Sequence, residues 1–436
     1  MTQNASIRSS LVLRALRPAA LFCLLSGSLA HGDEASRSLT IVSPASPSSV
    51  NEPVVSALPL GALPNSASQI AETEVVETAV IDGRVVACCA ARHWAPAHAL
   101  RARGKTIVTA YANEKESVQQ AACSLASFLN LQACYQEDIG AATALRAYYA
   151  RIALQEQLQL SAQSLELIER EQSKSNAALE KGLASGVDSS AFERRRLEIE
   201  DQQLQLHSQD RQLRTVLAQL AKIDYDAASV RQEQLDVRIS SLDCQRLQSM
   251  ALEDRCDYRV WINLARSSSE STAPLIGQFI KTAVGGFGLP LPPIKGLKAL
   301  LFRPDLSSLA DSMQRELNAT VDTQRRWICQ TVEEKCHKLE LAYRRIELAR
   351  ATVESWEQRL AQLEQLERLG DRATEEYAAA RSGLLKSRAE EISRRLEARS
   401  AEIDLAEAVG GLSRRCCAGQ AWLQTGRETS HTAAIE

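Results

Sequence analysis

The residues best suited by type and spacing to do chemistry are Cys88, Cys89, His93 and His98. Thiolates and imidazoles in a Cys-Cys-x3-His-x4-His arrangement are the donor set of a zinc or copper site. They sit beside Trp94 and Pro96 in a segment rich in Ser, Pro and Ala, and nothing in the pattern supplies a frame to hold a metal. Incidental composition is the better reading, and no metal or other cofactor is assigned. Elsewhere the chain carries no Gly-x-Gly-x-x-Gly, no full Gly-x-x-x-x-Gly-Lys-Ser/Thr phosphate loop, no His-Glu-x-x-His and no Cys-x-x-Cys. Dinucleotide, nucleotide-phosphate, metalloprotease and dithiol redox chemistry therefore have no carrier. Carboxylates are abundant, but they recur on what reads as solvated helix surface, so no catalytic residue is picked out and the chain reads as a non-enzyme.

Composition points to the elements that must organise such a chain. Aromatic residues make up 4% of the sequence, too few for a large globular core, whereas Leu, Ile, Val and Ala fill narrow helical seams well. With 51 basic and 54 acidic residues there is no electrostatic case for nucleic acid. Residues 1–30 carry the pattern of a secretory signal. Arg8, Arg14 and Arg17 precede a short apolar run from Ala19 to Leu25, and Ser28-Leu29-Ala30 offers small residues for cleavage. Export makes disulfides permissible. Outside Cys23 there remain Cys88, Cys89, Cys123, Cys134, Cys244, Cys256, Cys329, Cys336, Cys416 and Cys417, whose connectivity cannot be read from spacing. Cys329 and Cys336 cannot pair on one helix, because seven residues separate them by roughly 10 Å. Each could meet a neighbouring helix or simply serve as a small buried hydrophobe.

The chain divides by pattern. Residues 31–112 read as a disordered leader, 113–235 as a first helical hairpin and 236–304 as an inter-repeat segment. Residues 305–412 then read as a second hairpin and 413–436 as a flexible tail. The helical signal is a seven-residue period. Phe192, Ile199, Leu206, Leu213 and Leu220 form one series, joined by Leu217. Leu339, Ile346, Val353 and Leu360 interleave with Ala342, Ala349, Trp356 and Leu363, the signature of a coiled-coil seam. Laying Gly182 on Gly370, 188 positions apart, aligns Leu160 with Leu348, Leu197 with Leu385, and Leu217-Ala218 with Leu405-Ala406. Each copy sets a helix-breaking Gly between two periodic arms, the pattern of a helical hairpin. The first arm, counted from Leu145, would be roughly 57 Å long, and the one starting near Asp305 roughly 100 Å. Between the copies, Ala273–Phe302 is apolar and dense in Gly and Pro, which excludes a long helix. The fold expected is mainly α, two tandem long antiparallel coiled-coil hairpins.

Three stretches resemble the TolC-like outer-membrane efflux proteins. Gly182-Leu183-Ala184-Ser185-Gly186-Val187-Asp188 is similar to that family's hairpin turn, Gly-Leu-x-x-x-x-Asp-Val. The second copy keeps Gly370, Asp371, Thr374 and Glu375 in a looser version. Ala251-Leu252-Glu253-Asp254-Arg255-Cys256-Asp257-Tyr258-Arg259 resembles the family's Ala-Leu-x-x-Arg-Pro-Asp-Leu-Arg, with Cys256 for the Pro and Tyr258 for the Leu. The resemblance covers about Ser117 to Leu412. It implies a homotrimeric helical conduit in the periplasm and outer membrane that exports solutes. An inner-membrane pump drives export through a periplasmic adaptor, which meets the hairpin tips named above. Family members insert a β-hairpin in each repeat to close a membrane barrel. The span from Ser117 to Leu145 leaves no room for one, and Leu264–Phe302 lacks the alternation that strands need. A reduced or absent barrel is therefore expected. The alternative function is that of a structural coiled-coil protein of the envelope that is not a channel.

Overall fold

The computed structural model describes residues 82–181, 189–222, 235, 241–267, 306–368 and 374–421. The expected signal peptide, the leader up to residue 81, the loop 268–305 and the tail beyond 421 lie outside the described residues.

Nine helices form among the described residues: α1 (Gly83–His93), α2 (Ala95–Ala110), α3 (Glu116–Glu180), α4 (Ser189–Ala221), α5 (Cys244–Asp254), α6 (Cys256–Ser267), α7 (Leu306–Arg368), α8 (Thr374–Val409) and α9 (Leu412–Cys417). The duplicated hairpin is present, and its register is the one the two glycines specify. α3 ends at Glu180 and α7 at Arg368; α4 ends at Ala221 and α8 at Val409, each pair 188 positions apart. The first arm is longer than the periodicity suggested: α3 runs 65 residues, roughly 95 Å, against 63 residues for α7. Its early half is lined by Ala121, Ala122, Ala133, Ala141, Ala142 and Ala144, all buried. Alanine makes a close-packing helix face but contributes little to a pattern of large apolar residues.

Burial follows the predicted seams. Leu339 and Ile346 are fully buried, Ala342, Val353 and Leu363 are buried, and Ile199, Leu213 and Leu217 are buried on α4. Each such Leu or Ile removed from water contributes about 1.5–3 kcal/mol. The long helices pack in the order α4, α3, α8, α7, so that α3 and α8 are central while α4 and α7 stand at the edges. Salt bridges cross the arms at Arg345–Glu397, Arg388–Glu357 and Arg359–Glu376. Exposed pairs of this kind contribute about 0–1 kcal/mol each, so they specify register more than stability.

Two domain assignments are corrected. Residues 83–110 are not a disordered leader but the helices α1 and α2, and they are the head of the first repeat. Asp82 caps α1 by accepting from the Val85 amide at 2.8 Å, just as Asp243 caps α5 by accepting from Arg246 at 3.0 Å. Both capped helices have 11 residues, and each ends on one extended residue, Trp94 (φ −68°, ψ 107°) or Arg255 (φ −67°, ψ 116°), before the next helix starts. Four buried positions coincide at this register: Val86 with Leu247, Ala90 with Ala251, Ala97 with Tyr258, and Leu100 with Trp261. The sequence concealed the match because this offset is 161, not 188. Repeat one joins α2 to α3 through only Tyr111–Lys115, whereas 268–305 separates α6 from α7. The second correction is the tail: residues 413–417 complete α9, which is packed against α1 and α3.

Candidate functional site

The predicted tip residues Gly182, Leu183, Ala184, Ser185, Gly186, Val187, Asp188, Gly370 and Asp371 lie outside the described residues. Thr374 and Glu375 form the first turn of α8. α3 and α8 run antiparallel, as Arg146–Asp404 and Glu156–Arg395 require, and Arg195 near the start of α4 donates to Ser382 near the start of α8. The end of α3, the start of α4, the end of α7 and the start of α8 therefore lie at the same end of the four long helices.

The opposite end is a joint built from buried polar groups. Arg255, 4% exposed, donates two hydrogen bonds to Asp257 (2.9 and 2.6 Å) and one to the Ala408 carbonyl at the end of α8 (3.1 Å), and its guanidinium lies over the Trp327 ring. Asp257 also accepts from the Tyr258 amide in the first turn of α6. Burial works against the Arg255 charge, but Asp257 outweighs it and holds Arg255 above its ordinary value. Burial, reinforced by Asp257, pushes the nearby Tyr135 phenol up to about 12. Arg255 and Trp94, the extended residues between the paired head helices, each lie against a glycine. A Cβ at Gly410, where φ is +82°, would lie 2.8 Å from Arg255 Cγ, and one at Gly140 would lie 2.9 Å from the Trp94 ring. Only glycine permits either approach.

Asp138 closes the joint. It accepts from the amides of Gly411 and Ser413 and from the Ser413 hydroxyl, so α9 starts on a buried carboxylate. Burial raises Asp138 above its usual value despite these three donors. Two disulfides tie the same region: Cys88–Cys417 joins α1 to α9, and Cys134–Cys256 joins α3 to α6. The Cys at 256, where the resembled motif has Pro, is thus half of a cross-link. The Cys-Cys-His-His constellation is dismantled by the same fact, because Cys88 is bonded to Cys417, and no metal-binding cluster occurs among the described residues.

Two further charge sites, one buried and one half-buried, carry no sequence motif. Arg151 meets Asp210 across α3 and α4 at 3.1 Å, both side chains 8% exposed. Asp210 is seven residues before Leu217 and seven after Gln203, an interior position of the seam, and that placement was the available signal. At the junction of the repeats, Arg146 bonds Asp404 and Glu407, with Lys335 and Lys338 also on Asp404. Burial alone would raise Asp404, but Arg146 and the two lysines overcome it and hold the carboxyl below its usual value. A depressed carboxylate stabilises the fold above its unfolded value of about 3.9, and that stability is lost as pH falls through the lower folded value. Arg146→Gln should therefore destabilise by about 1–2 kcal/mol near neutral pH. The difference from the parent should shrink in melts run well below pH 4, whereas a pH-independent difference would rule out this linkage.

Among the described residues no helix is long and apolar enough to cross a membrane. Paired head helices followed by a long hairpin, repeated once, make up this chain, and its fold is the helical part of the TolC-like outer-membrane channel fold. The particular structures it resembles include CusC, solved in a study of folding and transmembrane channel formation (TM-score 0.56, 11% identity, 77% of this chain and 94% of that one). The CmeC outer membrane channel of Campylobacter jejuni is similar (0.53, 11%, 81% and 94%). So is the open state of the MtrE outer membrane channel of Neisseria gonorrhoeae (0.55, 14%, 76% and 90%). No family model and no curated protein sequence matches the chain.

Proposed function

We propose that this chain is one protomer of a homotrimeric helical conduit of the cell envelope, an efflux component that passes solutes outward. Its partners would be a periplasmic adaptor, at the common end of the two hairpin tips, and an inner-membrane pump. The observation that carries this reading is the open order α4, α3, α8, α7 with two edge helices. Each edge helix bears exposed leucines seven apart on the side away from its seam: Leu197 and Leu204 on α4, and Leu341 and Leu348 on α7, between 50% and 69% exposed. An α7 edge laid on the α4 edge of the next copy is a heterologous contact, the kind that closes rings. A conduit needs a bore and lining charge rather than catalytic groups. The N-terminal signal pattern and the disulfides fit an exported protein.

A second reading, an envelope coiled-coil assembly that forms no membrane pore, is favoured by one feature. Repeat one joins α2 to α3 through the five residues Tyr111–Lys115, too few for two membrane strands of about 9–11 residues each. One experiment separates the readings: the mass of the detergent-purified protein, followed by conductance in planar bilayers. Conducting trimers are expected, and Leu204→Glu with Leu348→Glu should yield monomers of unchanged helix content. Trimers without conductance would favour the second reading, and a monomeric parent would overturn both.

A further inference from the structure

The head of the second repeat lies along its own long arm in a fixed register. Gln248 of α5 donates to the Cys329 carbonyl of α7 at 3.2 Å, and Leu247 is buried in the cluster that contains Cys336. One turn back along α5, the half-buried Cys244 packs against that cluster, and its thiol helps raise that of Cys336. The duplication supplies an independent measure of how close these positions come. The residues equivalent to Cys244 and Cys336 in the first repeat are Gly83 and Tyr148. A Cβ on Gly83 would lie 3.3 Å from the Tyr148 ring and 3.4 Å from Leu145. The first residue of the head helix therefore touches the long helix in both copies. In the first copy the contact is a glycine under a tyrosine, and in the second it is two thiols.

We propose that Cys244 and Cys336 form a third disulfide, fastening α5 to α7 as Cys134–Cys256 fastens α6 to α3. The oxidant is a disulfide, either a small-molecule disulfide or the oxidised form of a thiol–disulfide exchange protein. Cys244, the more accessible of the two, loses its proton to solvent and attacks one sulfur of that oxidant, expelling one thiolate. Cys336 then loses its proton and attacks Cys244 Sγ, forming the intramolecular bond and expelling the second thiolate. Two cysteine thiols are oxidised and one external disulfide is reduced to two thiols. Burial holds the Cys336 thiol above its ordinary value, so little of it is thiolate at neutral pH.

The test uses the full chain, incubated with glutathione disulfide, unfolded, alkylated without reduction and digested. A peptide joining Cys244 to Cys336 should appear, sensitive to reductant, and alkylation of both residues should fall at least tenfold relative to reduced protein. In Cys244→Ser, Cys336 should be alkylated in full while Cys88–Cys417 remains linked, which reports that the fold survives. A parent chain in which both residues are alkylated, or in which either is joined to another cysteine, would overturn the proposal.

Discussion

Asp210→Ala should lower the unfolding free energy by about 3–5 kcal/mol, because it strips the carboxylate from a guanidinium buried between α3 and α4. Arg151 and Asp210 are each 8% exposed, and Asp210 is also held by Arg214 at 2.7 Å. The second repeat shows what can stand in their place. At the register of 188, Arg151 corresponds to Leu339 and Asp210 to Ala398, both fully buried in one hydrophobic cluster. A buried ion pair is often no more stable than a well-packed apolar pair of similar volume. The double variant Arg151→Leu with Asp210→Ala should accordingly recover most of the loss, a coupling of about 2 kcal/mol or more. Denaturant midpoints at unchanged slope provide the measurement. If the single and double variants are equally unstable, the two repeats do not share an interchangeable seam.

Arg255→Met should cost a similar amount, about 3–5 kcal/mol, by a different route. It leaves Asp257 buried without its bidentate partner and frees the Ala408 carbonyl at the end of α8. Methionine retains apolar contact with Trp327 but not the cation above its ring. The damage should be local before it is global. Amide exchange should rise in 406–417, where Gly410 sits on Arg255 and Asp138 holds the start of α9. Adding Asp257→Ala should restore part of the stability, since the stranded carboxylate is then gone. An Arg255→Met protein within about 1 kcal/mol of the parent, with unchanged exchange at α9, would mean the joint does not depend on this pair.

The two predictions sit on opposite sides of what could be read in advance. The seams were legible because Leu339, Ile346, Val353 and Leu360 are large and recur every seven residues. The Gly182 and Gly370 breaks were legible because equal arms flank them, and the helix ends at Glu180, Arg368, Ala221 and Val409 fall at that register. Arg255-x-Asp257 was visible as a motif, but nothing in the string of residues said that it grips Ala408, more than 150 positions away. The head helices α1 and α2 escaped because their buried faces are mostly Ala and Gly, with only Val86 and Leu100 larger, and because the longer segment 268–305 breaks the common offset.

The sequence by itself determined the local periods, the duplication and the places where helices must stop, since these depend on side-chain size and backbone freedom within a few turns. Only the tertiary structure decided which helix neighbours which, where Asp138 and Asp210 find donors, and which of the ten cysteines outside the signal pattern meet. Cys88 bonds Cys417 across a separation of 329 residues, and Cys134 bonds Cys256 across 122. Pairings over such distances depend on the packing order of the long helices, and a repeating sequence leaves that order open because every seam is written in the same residues.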